Sequence, residues 1–491
     1  MNRKLCIRLL AGSIALLLLS YALGAPTRVH AACGANCIVV DTNDDSLGVC
    51  DFSVAIYLRC AINYANANPG TEIVFASYIT TVNLLSALPA ITAAGTWIDG
   101  TDGNGGYVGP TIIGWPRGTS GDGFTINASN VTISNLQIVQ IPGGDDIHIT
   151  GGKGIKIAYN HIGILTGATS CPLQSSIGVG ISNDNAGGGA NAADGTAYIY
   201  GNTISCQGGS GIEIIGSNYV YIGLDTAGAE AGNNIGTTAN GLGAAGNGSS
   251  GVRIAMNSDS VTIRKNLIAY NSTAGVSFDG SNITLLFNTI SANGHGLLIG
   301  SGSGQLVVAN NIGTSVNGLL PWPNTYEGVL IVNGSGLSMS DNLVAYNGGA
   351  GIAVIGSTTH ASIQNNNTYG NRGLPIDLGD DGATVNGSRS LPGPNDWLPY
   401  PVVTTHSGSL IVGTKCVGCG VFIYKAIGNP ATPGGGGIYV TNVVADSNST
   451  WNATLPNGLT VADVSFTAVG AGHNSSEMSP RPVLFLPLIR R

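Results

Sequence analysis

Two short stretches of the sequence carry side chains that could do acid–base chemistry. Gly144-Asp145-Asp146 places two carboxyl groups side by side, and Gly294-His295-Gly296 places an imidazole ring between two glycines. Proton transfer between such groups and a substrate needs heavy-atom distances of about 2.6–3.2 Å, or one bridging water. Whether the three side chains can act together therefore depends on the elements that position them.

Those elements repeat along the chain. An apolar-x-apolar triplet, followed by Asn and another apolar residue, begins at nine positions: Val131, Ile155, Ala197, Val220, Val261, Ile283, Leu306, Leu337 and Ala361. The shorter intervals between these starts are 22 to 24 residues, and three longer intervals carry insertions. Each period also holds a Gly-apolar-x-apolar stretch, such as Gly251-Val-Arg-Ile254, and a pair of amides, such as Asn266 and Asn271. This pattern predicts three short strands per period.

Successive periods are expected to stack as the coils of a parallel β-helix of about 10 coils, because one coil cannot bury its own apolar face. Alternation within each strand turns one set of side chains inward. The recurring Asn residues at the bends are expected to form a structural ladder of amide hydrogen bonds. Five coils then separate Asp145 from His295, or roughly 24 Å at about 4.8 Å per coil. The two stretches cannot act on one substrate bond.

The repeats resemble those of the pectin-lyase-like superfamily, whose members are right-handed single-stranded parallel β-helices. They look like a bacterial exported group in which a short segment, usually Ser-Leu-Arg-Glu/Gln-Ala-Ile, precedes the repeats. The matching stretch here is Leu58-Arg-Cys-Ala-Ile62, with Tyr57 and Cys60 in place of the Ser and of the acid or amide. By its own pattern this stretch predicts a short amphipathic helix that covers the first coil and hides an open sheet edge. Insertions that begin at Asn234 and Asn311 carry a further family resemblance.

Enzymes of the same fold suggest two kinds of site. Polygalacturonases use an Asp-Asp pair and a Gly-His-Gly motif on neighbouring coils, a placement that the repeat excludes here. Pectate lyases need clustered acids for calcium and an Arg or Lys that takes a proton from carbon. The nearest match is Asp377, Asp380 and Asp381, preceded by Arg372. We interpret this group as the terminal turn of the solenoid, with a calcium site as the alternative, and we predict no other cofactor.

The repeat register predicts which side chains face outward. In the first strands these are Thr125, His148, Gly180, Glu213, Arg253, Ser277, Leu298, Leu330 and Ala353. In the second strands they are Thr132, Lys156, Tyr198, Tyr221, Thr262, Thr284, Val307, Ser338 and Ser362. Polar and aromatic side chains concentrate in the early coils, so we expect one patch of glycan-binding candidates: His148, Lys156, Tyr198, Glu213, Tyr221 and Arg253. Tyr rings beside charges suit a polysaccharide. A Glu213–Arg253 surface pair and covered tyrosines are the structural alternative.

The ends of the chain predict export and further modules. A basic start, an apolar run and small residues before position 32 predict a signal peptide at 1–31. We expect an N-terminal cap and first coils at 32–100, the β-helix at 101–382, a linker at 383–400, an antiparallel β-sandwich at 401–480 and an apolar-basic tail at 481–491. Eight of the nine cysteines follow the signal peptide, which suits an oxidising compartment. The disulfide candidates are Cys33, Cys37, Cys50, Cys60, Cys171, Cys206, Cys416 and Cys419.

Charge and hydropathy exclude several classes of function. The net charge is -8 and only 9% of residues are charged, so no basic stripe for nucleic acid is present. No segment after the signal peptide reaches the roughly 18 apolar residues of a membrane span. We predict a secreted or cell-surface all-β protein, a non-catalytic glycan-binding, adhesive or structural element whose partner is a polysaccharide or cell-envelope glycan. The alternative is a polysaccharide lyase, glycoside hydrolase or epimerase that acts in a surface groove.

Overall fold

The computed structural model of the chain describes residues 36–45, 50, 52–53, 55–101, 109–115, 121–172, 178–185, 195–358, 360–414 and 416–482. The predicted signal peptide, Cys33 and residues 483–491 of the predicted tail lie outside these residues. Within them, the helices are α1 (Leu58–Ala67) and two short 3-10 turns, Pro394–Trp397 and Val461–Asp463. No helix in this described part is long and apolar enough to cross a membrane.

Three long sheets of parallel strands run along the solenoid. In stacking order, sheet A contains β1 (Cys37–Val40), β2 (Glu72–Phe75), β4 (Trp97–Asp99), β7 (Thr132–Ser134), β10 (Ile155–Ala158), β13 (Ala197–Tyr200), β16 (Val220–Ile222), β19 (Thr262–Arg264), β22 (Thr284–Leu286), β25 (Leu306–Val308), β28 (Ser338–Ser340) and β31 (Ser362–Gln364). The solenoid strands of sheet B are β3 (Thr81–Asn83), β5 (Thr111–Ile113), β8 (Gln137–Val139), β11 (His161–Ile162), β14 (Thr203–Ile204), β17 (Asn234–Ile235), β20 (Leu267–Ala269), β23 (Thr289–Ser291), β26 (Asn311–Ile312), β29 (Leu343–Ala345) and β32 (Asn367–Tyr369). Sheet C contains β6 (Phe124–Asn127), β9 (Ile147–Gly151), β12 (Ile181–Asn183), β15 (Ile212–Ile214), β18 (Val252–Ile254), β21 (Ala274–Phe278), β24 (His295–Ile299), β27 (Val329–Ile331), β30 (Ile352–Val354) and β33 (Ile376–Leu378). The predicted parallel β-helix is confirmed.

Inward columns of apolar side chains form the core of the solenoid. On sheet A, Ile157, Ile199, Ile222 and Ile263 occupy consecutive register positions, and all four are fully buried. Burial of one such side chain stabilises the folded state by about 1.5–3 kcal/mol relative to exposure. Each coil obtains that burial only from the coils above and below it, so stacking and core formation are one event.

The predicted Asn ladder is present at the bend between sheets A and B. Asn266 donates from its main chain to Oδ1 of Asn288 over 3.0 Å, and from Nδ2 to the same atom over 3.1 Å and to the carbonyl of Ile222 over 3.0 Å. The preceding residue, Lys265, has a left-handed φ of 59°, which turns the chain sharply. The amide therefore satisfies main-chain groups that the tight bend would otherwise leave unpaired inside the protein.

Two outward assignments from the sequence are wrong. Ser182, and not Gly180, lies between His148 and Glu213 on sheet C, because the insertion before β12 shifts the start of the strand. On sheet A the outward residue is Leu306, and Val307 is fully buried. Buried Gln305 precedes them where the other coils have an apolar residue, and this polar residue displaced the predicted triplet by one.

Short elements close the two ends of the solenoid. Helix α1 packs against β1 and β2 at the first coil, and its buried face includes Leu58, Ala61 and Ile62. At the other end, β36 (Gly420–Ile427), β37 (Gly436–Val444) and β39 (Val464–Val469) continue sheet B, with β37 antiparallel to β32. Strands β34 (Val402–Ser407), β35 (Leu410–Thr414) and β38 (Thr450–Thr454) form a second antiparallel sheet that shares an apolar core with the first.

Covalent and hydrogen-bonded links fasten these parts together. Disulfides join Cys50 to Cys60, Cys171 to Cys206 and Cys416 to Cys419. Cys37 is also disulfide-bonded. In the segment after β39, the nearly buried carboxyl of Glu477 accepts the main-chain N–H groups of Leu378 and Thr384, over 3.2 and 2.8 Å. One side chain thus ties the last coil, the residues that follow it and the C-terminal module.

Candidate functional site

The structure divides the six predicted glycan-binding candidates between two sheets. His148, Glu213 and Arg253 lie on the outward face of sheet C, in a register row with Ser182. The other three are Lys156, Tyr198 and Tyr221, which lie in consecutive positions on sheet A. The two rows therefore belong to different faces of the solenoid, and each requires its own assessment.

On sheet A the two tyrosines stack on each other. The ring centroids of Tyr198 and Tyr221 are 5.1 Å apart and the rings are inclined by 15°, which is close to the coil spacing of about 4.8 Å. Lys156 and Thr262 occupy the next positions on either side. The ring faces thus point along the solenoid axis at neighbouring coils, and the main chain at Gly195 lies against their edges. Stacking occupies one face of each ring, and this arrangement favours the structural alternative for the pair.

On sheet C, His148 is held between two aspartates. Its Nδ1 atom lies 2.7 Å from Oδ2 of Asp122, and its Nε2 atom lies 3.2 Å from Oδ2 of Asp184. The hydrogen bond to Asp122, together with Asp184, raises the pKa of His148 to about 9 against the effect of burial. Burial opposes ionisation of Asp122, yet the partnership with His148 leaves the pKa of that carboxyl lowered. The imidazole ring is therefore a cation at neutral pH.

Asp145 and Ser182 complete this group, which we call the His148 cluster: Asp122, Asp145, His148, Ser182 and Asp184. The carboxylate of Asp145 accepts the main-chain N–H of Val179 over 2.9 Å and the hydroxyl of Ser182. Ligand atoms of Asp122, Asp145 and His148 lie within 4.8 Å of one another. The imidazolium ring of His148 supplies the positive charge between these carboxylates. A divalent cation bound by the three residues would require His148 to give up its proton.

The neighbouring Asp146 takes no part in this cluster. It is fully buried, and its Oδ2 atom accepts the side-chain amide of Gln207 over 2.8 Å. The adjacent carboxyl groups of Asp145 and Asp146 therefore have different roles: Asp145 belongs to the His148 cluster, and Asp146 binds Gln207 inside the solenoid. His295 lies five strands farther along sheet C, on β24, so the predicted separation from Asp145 is confirmed.

Between the two ends of the row, Glu213 and Arg253 form a cross-strand ion pair. Nη1 of Arg253 donates to Oε1 of Glu213, and the Arg253 side chain is 45% exposed. An exposed pair of this kind contributes at most about 1 kcal/mol to stability. Its location matters more than its strength, because it continues the polar row of sheet C toward Ser277.

A second group, which sequence reasoning missed, lies at the far end of the same face. We call it the His295 cluster: His295, Tyr326, Glu327 and Asp380. Nδ1 of His295 lies 2.9 Å from Oε2 of Glu327, without the alignment of a good hydrogen bond. The ring of Tyr326 is centred 5.0 Å from the His295 ring and is 54% exposed. Glu327 precedes Val329 as His295 precedes Leu297, so the predicted register of the first strands already aligned the two residues.

The two carboxyl groups of the His295 cluster differ in their affinity for protons. Contact with His295 holds the pKa of Glu327 below its ordinary value, against the effect of burial. Partial burial and the charges of Glu327, Asp377 and Asp381 raise the pKa of Asp380 to about 6. As the pH falls through about 6, Asp380 therefore takes up a proton while Glu327 stays ionised.

Two other features do not form a site of this kind. The carboxylate of Asp377, part of the proposed calcium alternative, accepts main-chain N–H groups of Asp381 and Gly382 over 3.3 and 3.2 Å. These hydrogen bonds stabilise the terminal turn of the solenoid. A cavity of about 170 Å³ lies near Trp397, Tyr400 and Glu477, below the roughly 300–1,000 Å³ of typical small-molecule sites.

Comparison with known proteins identifies the architecture. Residues 233–390 match a family model described as the right handed beta helix region. None of the curated proteins compared matches the chain. Among solved structures, the chain is similar to the Dettilon tailspike protein gp208, with 13% identity, 90% of this chain and 91% of that chain covered and a TM-score of 0.40.

Two further solved structures are similar over most of the chain. The A-module of the Azotobacter vinelandii mannuronan C-5 epimerase AlgE4 shares 13% identity, with 65% of this chain and 89% of that chain covered and a TM-score of 0.30. Tailspike gp49 of Acinetobacter baumannii bacteriophage Fri1, a capsular polysaccharide depolymerase, shares 11% identity, with 87% and 79% covered and a TM-score of 0.33. No shared activity follows from likeness at this distance. The chain is a right-handed parallel β-helix protein, and residues 233–390 are the part that matches the right-handed β-helix family model.

Proposed function

We propose that this is an extracellular glycan-binding protein whose binding face is the outward surface of sheet C, from the His148 cluster to the His295 cluster. The observation that carries the proposal is the continuity of that face. Five strand intervals separate His148 from His295, or roughly 24 Å at about 4.8 Å each. Along this length the row presents an imidazolium ring, hydroxyl groups, a carboxylate and a guanidinium group, and at β24 the apolar Leu298. The His295 cluster lies beside this row, near the N-terminal ends of β24 and β27.

The chemistry of these side chains suits sugar hydroxyl groups. Carboxylate oxygens accept hydrogen bonds, whereas Arg253 and protonated His148 donate them, and Ser182 can do both. The exposed ring of Tyr326 adds an apolar surface at one end. Neighbouring strands hold His148, Ser182, Glu213 and Arg253 in register. Little side-chain entropy is therefore lost when a rigid chain of sugars binds along them.

The location of the protein is part of the proposal. Disulfides at Cys50–Cys60, Cys171–Cys206 and Cys416–Cys419 suit an oxidising compartment. A net charge of -8 suits neither nucleic acid nor an anionic membrane surface. A secreted or cell-surface position, where glycans are abundant partners, fits these observations. Purely structural or adhesive use of the solenoid predicts the same location but no glycan affinity.

A glycan array followed by calorimetry on the hits tests the proposal. We expect the double variant Glu213→Ala/Arg253→Ala to weaken binding about tenfold or more, as truncation of a central polar pair does. The matched control is Thr262→Ala, an outward position on sheet A next to Tyr221, and it should bind as the unaltered chain does. Absence of affinity for every glycan, or equal losses in both variants, would refute the sheet C face as a binding site.

Hydrolysis of a bound glycan is the second candidate function. One observation favours it: the His295 cluster pairs a carboxyl whose pKa is raised to about 6, Asp380, with an ionised carboxylate, Glu327. Cleavage of a glycosidic bond uses such a pair, one group as acid and the other as base or nucleophile. New reducing ends that appear with the unaltered chain, and not with Glu327→Gln, would establish this activity. Binding without products would leave the protein a lectin-like binder.

A further inference from the structure

Carboxylates outnumber cations along the binding face proposed above. Six carboxyl groups lie in the His148 cluster, the central pair and the His295 cluster: Asp122, Asp145, Asp184, Glu213, Glu327 and Asp380. The positively charged side chains described in these groups are His148 and Arg253, and each already contacts a carboxylate. The cationic side chains of these groups are therefore already paired, and the carboxyl groups outnumber them, so the face keeps a net negative charge.

The surplus is concentrated in the His295 cluster. Burial, and after it the negative charges of Glu327, Asp377 and Asp381, raise the pKa of Asp380. Of these three carboxylates, Asp381 is itself paired with Arg389. An arriving carboxylate would meet the same repulsion that disfavours ionisation of Asp380, whereas an arriving ammonium group would be attracted. Like-charge contact at an interface is a strong means of rejecting a partner.

The aromatic ring of the cluster favours the same ligand charge. Tyr326 exposes 54% of its surface and directly precedes Glu327 in the chain. A cation placed over the face of a tyrosine ring, within about 6 Å of its centre, is attracted by the electron-rich face. A ring of this kind beside ionised carboxylates provides the two contacts that an ammonium group prefers.

We infer that the glycan of the sheet C face is a polymer of amino sugars with free ammonium groups, and that polyuronates are rejected. This inference rests on the proposed glycan-binding function and adds the chemical class of the ligand. An ammonium group of the bound chain sits between Tyr326 and the carboxylates of Glu327 and Asp380. The sugar hydroxyl groups lie along the remaining row toward His148.

Three oligosaccharides of equal length separate the charge of the ligand from its shape. They are the β-1,4-linked glucosamine oligomer, its N-acetylated counterpart and an oligogalacturonate, each titrated into the mature chain by calorimetry. We expect the free amine to bind about tenfold more tightly than the N-acetylated oligomer, and the oligogalacturonate more weakly than both. Added salt should weaken binding of the amine and strengthen binding of the oligogalacturonate, because it screens attraction and repulsion alike.

Substitutions locate the preference. In Glu327→Gln/Asp380→Asn the amine and its N-acetylated counterpart should bind within about twofold of each other, since the shape is kept and the charge is gone. The control, Glu230→Gln, removes a carboxylate that pairs with Arg264 away from the sheet C face, and the tenfold preference should remain.

Each other outcome overturns a different statement. Equal affinity for the amine and its N-acetylated counterpart, or tighter binding of the oligogalacturonate, refutes the amino-sugar inference and leaves glycan binding intact. Array hits confined to other glycans refute it as well. Absence of binding to every glycan instead refutes the proposed function itself.

Discussion

His295 and Glu327 are register neighbours on adjacent coils, and Nδ1 of the first lies 2.9 Å from Oε2 of the second. The other oxygen of Glu327 lies over Gly349 on the next coil, where a Cβ atom would approach within 2.4 Å of Oε1 and 2.9 Å of the Glu327 main-chain nitrogen. The carboxylate therefore spans three coils, with an imidazole on one side and a glycine on the other. Its position depends on the absence of a side chain at residue 349.

Gly349→Ala is expected to displace the Glu327 carboxylate and to weaken glycan binding by the same order as Glu327→Gln. Overpacking of this kind also costs about 1–3 kcal/mol of stability, which thermal unfolding would detect. Gly334→Ala is the matched control, because its new Cβ would meet only ordinary contacts at 3.5 Å or more. A Gly349→Ala chain that binds glycan as tightly as the Gly334→Ala chain would contradict this prediction.

The pH dependence of stability should reveal the charge on His148. Its pKa is raised to about 9 from an ordinary 6.5, so its contribution is complete below about 6.5 and is lost as the pH rises through about 9. The thermal midpoint of the unaltered chain should therefore exceed that of His148→Gln by a constant amount below about pH 6.5, and this difference should shrink as the pH rises through about 9.

His161 provides a comparison of opposite sign for the same experiment. Burial lowers its pKa, so the unaltered chain loses stability as the pH falls below about 6.5, and His161→Gln should remove that loss. If both variants shift the midpoint equally at every pH, neither histidine carries the charge state described here.

Glu477 should make attachment of the C-terminal module sensitive to pH in a different window. Burial raises the pKa of this carboxyl to about 7 from 4.5. The stabilisation is therefore complete below about 4.5 and is lost as the pH rises through about 7. We expect the thermal midpoint to fall between those values in the unaltered chain and to stay level in Glu477→Gln. Glu230→Gln, an exposed carboxyl, should keep the fall; an unchanged slope in Glu477→Gln would assign it to another group.

The Asn ladder should carry much of the stability at the bends. Asn288 donates from Nδ2 to the carbonyl of Ile263 over 2.8 Å and to Oδ1 of Asn310 over 3.0 Å, and it accepts from Asn266. Asn288→Ala leaves several buried groups unpaired and should cost about 2–4 kcal/mol. Urea unfolding measures that cost, and exposed Asn448→Ala should change stability by less than about 0.5 kcal/mol. Similar unfolding of the two variants would mean that other groups compensate for the ladder.

The repeat was readable from sequence wherever each coil kept its own local signals. Asn266 and Asn288 recur at the same point of successive coils, and alternating residues such as Ile263 mark the inward face, so both ladder and core were predictable. Gln305 defeated the pattern because a buried amide took the place of an apolar residue, and Leu306 was then assigned inward in place of Val307. Local polarity could not reveal that substitution.

The candidate site was less accessible to sequence reasoning because its contacts cross coils. Asp122 and Asp184 reach His148 from separate turns, and nothing in the intervening residues sets the length of those turns. Tyr198 and Tyr221 were correctly aligned with each other, but alignment alone did not tell whether their faces were open or stacked. For Asp145 and His295, in contrast, the period of the repeat alone was sufficient to predict that five coils lie between them.

Stacking of one coil on the next also makes the solenoid a ruler. Each coil contacts only its neighbours, so a whole period can be duplicated or deleted without redesign of the others. Removal of one 22-residue coil, such as residues 261–282, would bring the His148 and His295 clusters closer by about 4.8 Å. The preferred length of a bound oligomer would then be inherited as a count of repeats, adjustable in whole steps by recombination between similar segments.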